Sequence, residues 1–221
     1  MAELGIIVLG QTPRPDLQKT YGALLPGVSI RIGGALDHCS TQEIESLVES
    51  GGDYPLLVIL ADGTTREISL FKLLPHLEQQ AERMAEAGIK TALLMCAGNF
   101  PDLCSPIPVI YPGRVVPAVV SGLSRNRIVG IVTPNKGQVS SAKAHWEEKG
   151  FSASVMVASP KSRSEMDLVG DFFKGQDLDL IVLDCMGFGP ESAKAIRRKA
   201  TVPVICAQSL VARIIAEMLG I

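Results

Sequence analysis

Two cysteines stand at the same kind of place in this chain. Cys96 closes the run Thr91-Ala92-Leu93-Leu94-Met95-Cys96 and is followed by Ala97-Gly98-Asn99. Cys185 closes Ile181-Val182-Leu183-Asp184-Cys185 and is followed by Met186-Gly187-Phe188-Gly189. A short apolar run that stops in a Gly-rich turn reads as a buried parallel strand carrying its last side chains to the rim of a sheet. That rim is where open α/β sheets bind ligands. A thiol on each side of one carbon is an arrangement for moving a proton across it: one thiolate removes the proton and the opposite thiol returns it on the other face. A thiolate is also a good nucleophile toward an alkene or carbonyl carbon. Either task asks for a pKa near 7, below the ~8.5 of an ordinary thiol. Backbone N–H groups of the Gly98 and Met186-Gly187 turns, or a following helix N-terminus, can supply that shift. The plainer reading is that a cysteine is a small buried hydrophobe, which is how Cys206, inside an apolar strand, is read.

Other residues gather around the same rims. The first strand ends in Gly10-Gln11-Thr12-Pro13-Arg14-Pro15-Asp16. This is either a polar loop that caps the next helix or a carboxylate- or phosphate-binding loop using Thr12, Arg14 and backbone N–H groups. The second half restarts with an apolar strand at Arg127 to Val132 and ends it in Thr133-Pro134-Asn135-Lys136-Gly137-Gln138, an echo of the first loop. Gln11, Arg14, Arg66 and Asn99 are donors expected near the ligand. Asp37 and His38 are either catalytic or an Asx turn beside a surface histidine.

The elements that must hold these residues alternate between strand and helix. Expected strands cover 5–9, 28–32, 56–60, 65–69, 90–95, 127–132, 152–158, 178–184 and 202–207. Expected helices cover 16–25, 41–49 (capped by Ser40 with Glu43 and stopped at Gly51-Gly52), 71–87, 139–149, 165–174, 190–199 and 209–219. Asp62-Gly63 marks a hairpin between the third and fourth strands. The alternation predicts α/β architecture with parallel βαβ layers. Prolines at 101, 106, 108, 112 and 117 argue against a regular helix there, so 106–117 reads as a linker, with a short strand at 109–111 and a brief helix at 117–123. Thr12 precedes Cys96 by 84 residues and Thr133 precedes Cys185 by 52, an excess for which the hairpin accounts in large part if the halves are a diverged repeat.

The totals narrow the function. With 221 residues, 47% hydrophobic and 20% charged, the chain can build a sizeable core. Lys+Arg 21 against Asp+Glu 23 leaves a net charge of −2, without the basic excess that a nucleic-acid or anionic-membrane surface needs. No apolar run reaches the ~18 residues of a membrane span, and the N-terminus has no basic region ahead of a long apolar stretch. Five cysteines without disulfide spacing and without an export signal point to reduced thiols in a cytoplasm. No Cys/His grouping has metal-ligand spacing, so no metal and no cofactor is expected.

Gly10-Gln11-Thr12-Pro13-Arg14-Pro15-Asp16, Gly34-Ala35-Leu36-Asp37, Asp62-Gly63, Leu94-Met95-Cys96-Ala97-Gly98-Asn99-Phe100, Lys143-Ala144-His145-Trp146, Ala158-Ser159-Pro160, Leu183-Asp184-Cys185-Met186-Gly187-Phe188 and Val211-Ala212-Arg213 resemble, in order, the AroM family. More distantly the plan is similar to the aspartate/glutamate/hydantoin racemase superfamily, which includes maleate isomerases and arylmalonate decarboxylases. That resemblance implies two Rossmann-like lobes with parallel sheets related by a pseudo-two-fold repeat, a ligand cleft between them, one cysteine from each lobe, and no cofactor. It makes Cys96 and Cys185 the catalytic pair and gives the Gln11-Thr12 and Thr133-Pro134 loops a share in holding the substrate carboxylate. It also sends the terminal helix back to the first lobe, so the expected lobes are 1–105 with 208–221, and 118–207. A homodimer is the superfamily's frequent state. The amino-acid racemases carry Cys-Asn-Thr and Gly-Cys-Thr where this chain has Cys96-Ala97-Gly98 and Asp184-Cys185-Met186. The fold therefore transfers and amino-acid racemisation does not. Asp184 places a negative charge beside Cys185, which raises a thiol pKa unless the carboxylate points away.

The expected function is a cofactor-independent racemase, isomerase or related lyase acting on a small carboxylate through Cys96 and Cys185. Gln11, Thr12, Arg14, Gly98, Asn99, Thr133, Met186 and Gly187 are expected around the substrate. The alternative is a non-catalytic small-molecule-binding or regulatory protein on the same fold.

Overall fold

The structure is a computed structural model that describes residues 2–48 and 54–221. The expected end of the second helix at Glu49 and its Gly51-Gly52 stop lie outside the described residues. By its contacts the chain divides into two compact units, 1–96 with 100–111 and 221, and 97–99 with 112–220.

The first unit is organised on β1 (Glu3–Val8), whose Leu4, Ile6, Ile7 and Val8 are all buried. A strand apolar on both faces belongs in the middle of a parallel sheet. β1 pairs in parallel with β2 (Ser29–Gly34) on one side and β5 (Ala92–Leu94) on the other, and β5 pairs with β6 (Val109–Ile110). The order is β2-β1-β5-β6. α1 (Pro15–Leu24) starts on a proline, whose missing N–H costs nothing in a first helical turn. α2 (Thr41–Leu47) carries the capping box of Ser40 and Glu43. β3 (Pro55–Ile59) and β4 (Thr65–Ser69) form the antiparallel hairpin around Asp62-Gly63. α3 (Leu70–Glu86) buries Leu70, Leu73, Leu77, Ala81 and Met84, spaced as one helical face, into the core beneath the sheet.

The second unit repeats the plan. β7 (Ile128–Thr133) lies between β8 (Ser152–Val157) and β9 (Leu180–Leu183), and β10 (Val204–Cys206) pairs with β9, all in parallel. The order β8-β7-β9-β10 is that of the first sheet read from the corresponding edge. α5 (Val139–Glu148), α6 (Arg163–Phe173), α7 (Pro190–Arg197) and α8 (Ala207–Leu219) complete it. The β3–β4 hairpin has no counterpart among these elements.

Two expectations change. The segment 106–117 is not a linker: β6 belongs to the first sheet, and Pro112–Leu123 is one helix, α4, with Pro117 inside it. An internal proline removes the bond to the carbonyl four residues earlier, here that of Gly113. His145 Nε2 lies 3.1 Å from that carbonyl and donates to it, so the orphaned acceptor is satisfied and the helix continues. The terminal helix differs too. α8 packs with α4 and β10, so its contacts group it with the second unit and not the first.

Candidate active site

In a sheet ordered 2-1-3-4 the direction of winding reverses between the first and third strands, and ligands bind at the carboxyl ends there. In the first unit that point lies between β1 and β5, and in the second between β7 and β9. The loops at these points are 9–14 and 95–99 after strands of the first sheet, and 134–138 and 184–189 after strands of the second. Each sheet thus ends in a Thr-Pro loop and a cysteine loop side by side at its own switch point.

The first Thr-Pro loop is tied down by its own side chains. Gln11 Nε2 donates to the Leu36 carbonyl at 3.1 Å, Gln11 Oε1 accepts from Ala61 N–H at 3.1 Å, and Gln11 N–H donates to Ile59 O at 2.9 Å. Asp37 accepts from Thr12 N–H at 2.6 Å, from the Thr12 hydroxyl at 3.0 Å and from Gly34 N–H at 2.7 Å. A Cβ on Gly34 would meet the Gly10 carbonyl at 2.4 Å and Asp37 Oδ1 at 2.5 Å, so only glycine lets the two strand ends approach. The Thr12–Pro13 peptide is cis. Arg14 forms a two-point pair with Asp16, Nε to Oδ1 at 2.9 Å and an Nη to Oδ2 at 2.7 Å, and holds the Asp16 carboxyl below its ordinary pKa. Gln11, Thr12 and Arg14 therefore all have protein partners. Asp37 is the clamp of this loop, and His38 beside it is exposed. Arg66 pairs with Glu45 at 2.8 Å.

Cys96 follows β5, half-buried against the first core, and Asn99 is exposed. The next residues lie against the start of α4: a Cβ on Gly113 would fall 2.2 Å from the Gly98 carbonyl and 2.7 Å from that of Ala97. That close approach requires glycine at 113. His145, holding the Gly113 carbonyl, thus braces the floor under the loop after Cys96. The ring is buried, and its Nδ1 has no hydrogen-bond partner among the described residues. Burial pushes its pKa down, with the Gly113 bond opposing.

In the second unit Thr133 is buried and its hydroxyl donates to the Asn135 carbonyl at 3.3 Å. Asp184 continues the strand by donating its N–H to Val132 O at 2.9 Å, and its carboxylate Oδ2 accepts from Trp146 Nε1 at 2.7 Å. Loss of hydration raises the Asp184 carboxyl to about 6, with the indole hydrogen bond pulling the other way. Cys185 is half-buried and its sulfur accepts from Gly187 N–H at 3.3 Å. Burial pushes this thiol up to about 11; the Gly187 bond lowers it, and the Asp184 and Cys206 charges raise it further. Asp184 acts on the thiol in the direction expected from the sequence, but burial is the larger cause. Met186 is in the core, with its carbonyl accepting from Gln208 Nε2 at 2.8 Å, and Gly187 is exposed. Gln208 Oε1, buried, has no hydrogen-bond partner among the described residues.

The AroM protein family model matches residues 4–219 of the chain. The chain belongs to the AroM family. In fold this AroM-family protein is similar to an unliganded arylmalonate decarboxylase (14% identity, 100% of this chain and 93% of that one covered, TM-score 0.66). It is also similar to the maleate isomerase Iso from Pseudomonas putida S16 (12% identity, 100% and 93% covered, TM-score 0.67) and to an aspartate racemase from Picrophilus torridus (13% identity, 100% and 95% covered, TM-score 0.63). Identities this low show a shared fold and leave the chemistry open. No curated protein sequence matches the chain significantly.

Sequence reasoning missed His145, Trp146 and Gln208 as supports of the two cysteine loops. The signal for His145 was present: Pro117 four residues after Gly113 announces an orphaned carbonyl that some donor must meet. A groove of about 440 Å³ lined by Arg114, Pro117, Ala118, Ser121, Lys149 and Phe151 also lies in the second unit and includes none of the expected site residues. Among the described residues no three His, Cys, Asp or Glu side chains gather as a metal site, and no helix is long and apolar enough to cross a membrane.

Proposed function

We propose that this protein is a cofactor-independent enzyme of the racemase, isomerase or lyase type that transfers a proton at the carbon next to the carboxylate of a small molecule, with Cys96 and Cys185 as its proton-transferring groups. The observation that carries this reading is the repeated topology: the same third strand of two sheets of like order is followed, two residues on, by a cysteine at the switch point. The roles are unequal. Burial raises the Cys185 thiol to about 11 instead of lowering it toward the 7 expected of a thiolate, so Cys185 keeps its proton and serves as the acid that delivers it to a carbanion. Cys96 is the group that accepts the proton, or that attacks carbon. Proton transfer, reversible addition and elimination of a thiolate, and replacement of CO2 by a proton are each redox-neutral and call for no electron acceptor. Exposed Asn99 and the loop around Gly98 are the groups around which a carboxylate would be held. Both thiols must stay reduced, which fits a cytoplasmic setting.

The test is deuterium incorporation. A panel of small 2-substituted carboxylic and dicarboxylic acids is incubated with the protein in D2O and followed by proton NMR. Deuteration, isomerisation or loss of CO2 that falls at least about 100-fold in both Cys96→Ser and Cys185→Ser supports the reading, as expected when a group that transfers the proton is removed. Turnover that survives in both variants overturns it. The rival reading, a binding protein on the same fold, draws on the commitment of Gln11, Thr12, Arg14 and Thr133 to internal partners. It predicts saturable binding of a carboxylate by calorimetry with no exchange.

A further inference from the structure

Trp146 is the single tryptophan of the chain and is fully buried. Its ring is locked edge-on against Phe151, with centroids 5.2 Å apart, and Phe151 is covered by the Arg127 guanidinium at 5.3 Å from its ring. That stack aims the indole N–H at Asp184, whose backbone is held by Val132. The carboxyl is thus fixed at both ends of its residue, immediately before Cys185. Tryptophan has one donor and no acceptor, so the contact is satisfied by a carboxylate or by any side chain with a carbonyl oxygen. A carboxyl that only had to accept this bond would be better replaced by an uncharged amide, because its burial costs more.

We infer that Trp146 and Asp184 are a positioning pair for Cys185, in which the indole fixes the carboxyl at the end of β9 and the fixed carboxyl sets the environment of the thiol beside it. This rests on reading Cys185 as a functional thiol. Asp184 crosses from charged to neutral near pH 6 and, while charged, opposes ionisation of Cys185. Above pH 6 the charged carboxyl thus adds to the larger effect of burial in keeping Cys185 in its S–H form, the form required of an acid. The other titratable group acting on Cys185 is Cys206 on β10.

Two measurements on the folded full chain test the pair without a substrate. The first is Trp146 fluorescence between pH 4 and 9 in wild type, His145→Gln and Asp184→Asn. A transition centred near 6 is expected in the first two, and its absence in Asp184→Asn, where the amide still accepts the indole bond. The second is iodoacetamide labelling of Cys185 at pH 8.5, read by mass spectrometry against exposed Cys104. Labelling of Cys185 is expected to rise about 3- to 10-fold in Asp184→Asn, as removal of a neighbouring negative charge implies, with Cys104 unchanged. Trp146→Phe, which frees the carboxyl, is expected to alter Cys185 labelling and leave Cys104 alone. A wild-type transition absent near pH 6, a transition that persists in Asp184→Asn, or Cys185 labelling equal in wild type and Asp184→Asn would each overturn the pair. The two readings fail separately: the expected fluorescence and labelling without any deuterium exchange removes the enzyme and keeps the pair, whereas cysteine-dependent exchange with unchanged labelling removes the pair and keeps the enzyme.

Discussion

In the first unit three residues, Leu9-Gly10-Gln11, separate the end of β1 from Thr12-Pro13, whereas in the second Thr133 is the last residue of β7 and Pro134 follows at once. The extra residues of the first unit fasten the β3–β4 hairpin. Gln11 binds Ile59 and Ala61, and Gly10 lies so close to Ile59 that a Cβ there would fall 2.0 Å from its carbonyl oxygen. The second unit lacks the hairpin and closes its loop with the Asn135 side chain, which accepts from Gln138 N–H at 3.1 Å. The cysteine loops differ as well. Cys96 leads into a loop seated on the start of α4. Cys185 is preceded by an anchored acid and folds back on Gly187 N–H. One strand order therefore sets where each thiol stands, and unlike neighbours decide what each thiol can do.

The comparison breaks first at Gly10. Gly10→Ala forces a methyl into the Ile59 backbone and is expected to destabilise by about 4 kcal/mol, the range of severe overpacking. Hydrogen exchange should show the hairpin and β1 loosened while β7–β10 stay protected. Equal loosening of both sheets would argue that they do not respond as separate units.

Next comes the charge that distinguishes the second cysteine. A carboxyl raised from 3.8 to about 6 favours the folded state while protonated. That advantage is present below about pH 4 and is lost as pH rises through 6, which amounts to roughly 3 kcal/mol at 1.36 kcal/mol per pH unit. Asp184→Asn should therefore gain about this much over wild type between urea denaturation at pH 4 and at pH 7.5. A parallel pH dependence of the two proteins would refute the assignment.

Asp37 offers a milder contrast, as the clamp of the first Thr-Pro loop, whereas the loop contacts of the second are made by Thr133 and Asn135. Asp37→Ala removes the acceptor of three hydrogen bonds and should cost about 2 kcal/mol in denaturation. Asn, which keeps an acceptor oxygen, should recover part of it. The smallest effect is expected at His145, whose pKa is lowered by burial, so the neutral ring favours folding and stability falls as pH drops below the ordinary 6.5. His145→Gln keeps a donor for Gly113 and should flatten that acid limb in thermal melts at pH 5 and 7.

The alternation of strands and helices, the hairpin at Asp62-Gly63 and the two apolar strands leading to Cys96 and Cys185 were all readable from the chain, because each is a local pattern of polarity and turn chemistry. The AroM resemblance was readable in its ordered motifs. The helix through Pro117 was not, since local rules count the lost hydrogen bond and cannot see a histidine 32 residues away that repairs the carbonyl. The side chains of Gln11 and Thr12 were legible as donors but not as donors already engaged, because Leu36, Asp37 and Ala61 reach them only through β1, β2 and the hairpin, whereas Arg14 and Thr133 are engaged by neighbours two residues on.

Residue order alone determined the α/β class, the internal repeat and the presence of a thiol at the end of one strand in each half, since periodicity and glycine punctuation act over a few residues. Tertiary structure alone decided which donors are engaged within the protein, and that the Cys185 thiol is raised rather than lowered. Those properties depend on burial and on an indole 38 residues from Asp184. Hydration and hydrogen bonding are settled by whatever the folded chain brings near, whatever its distance along the sequence.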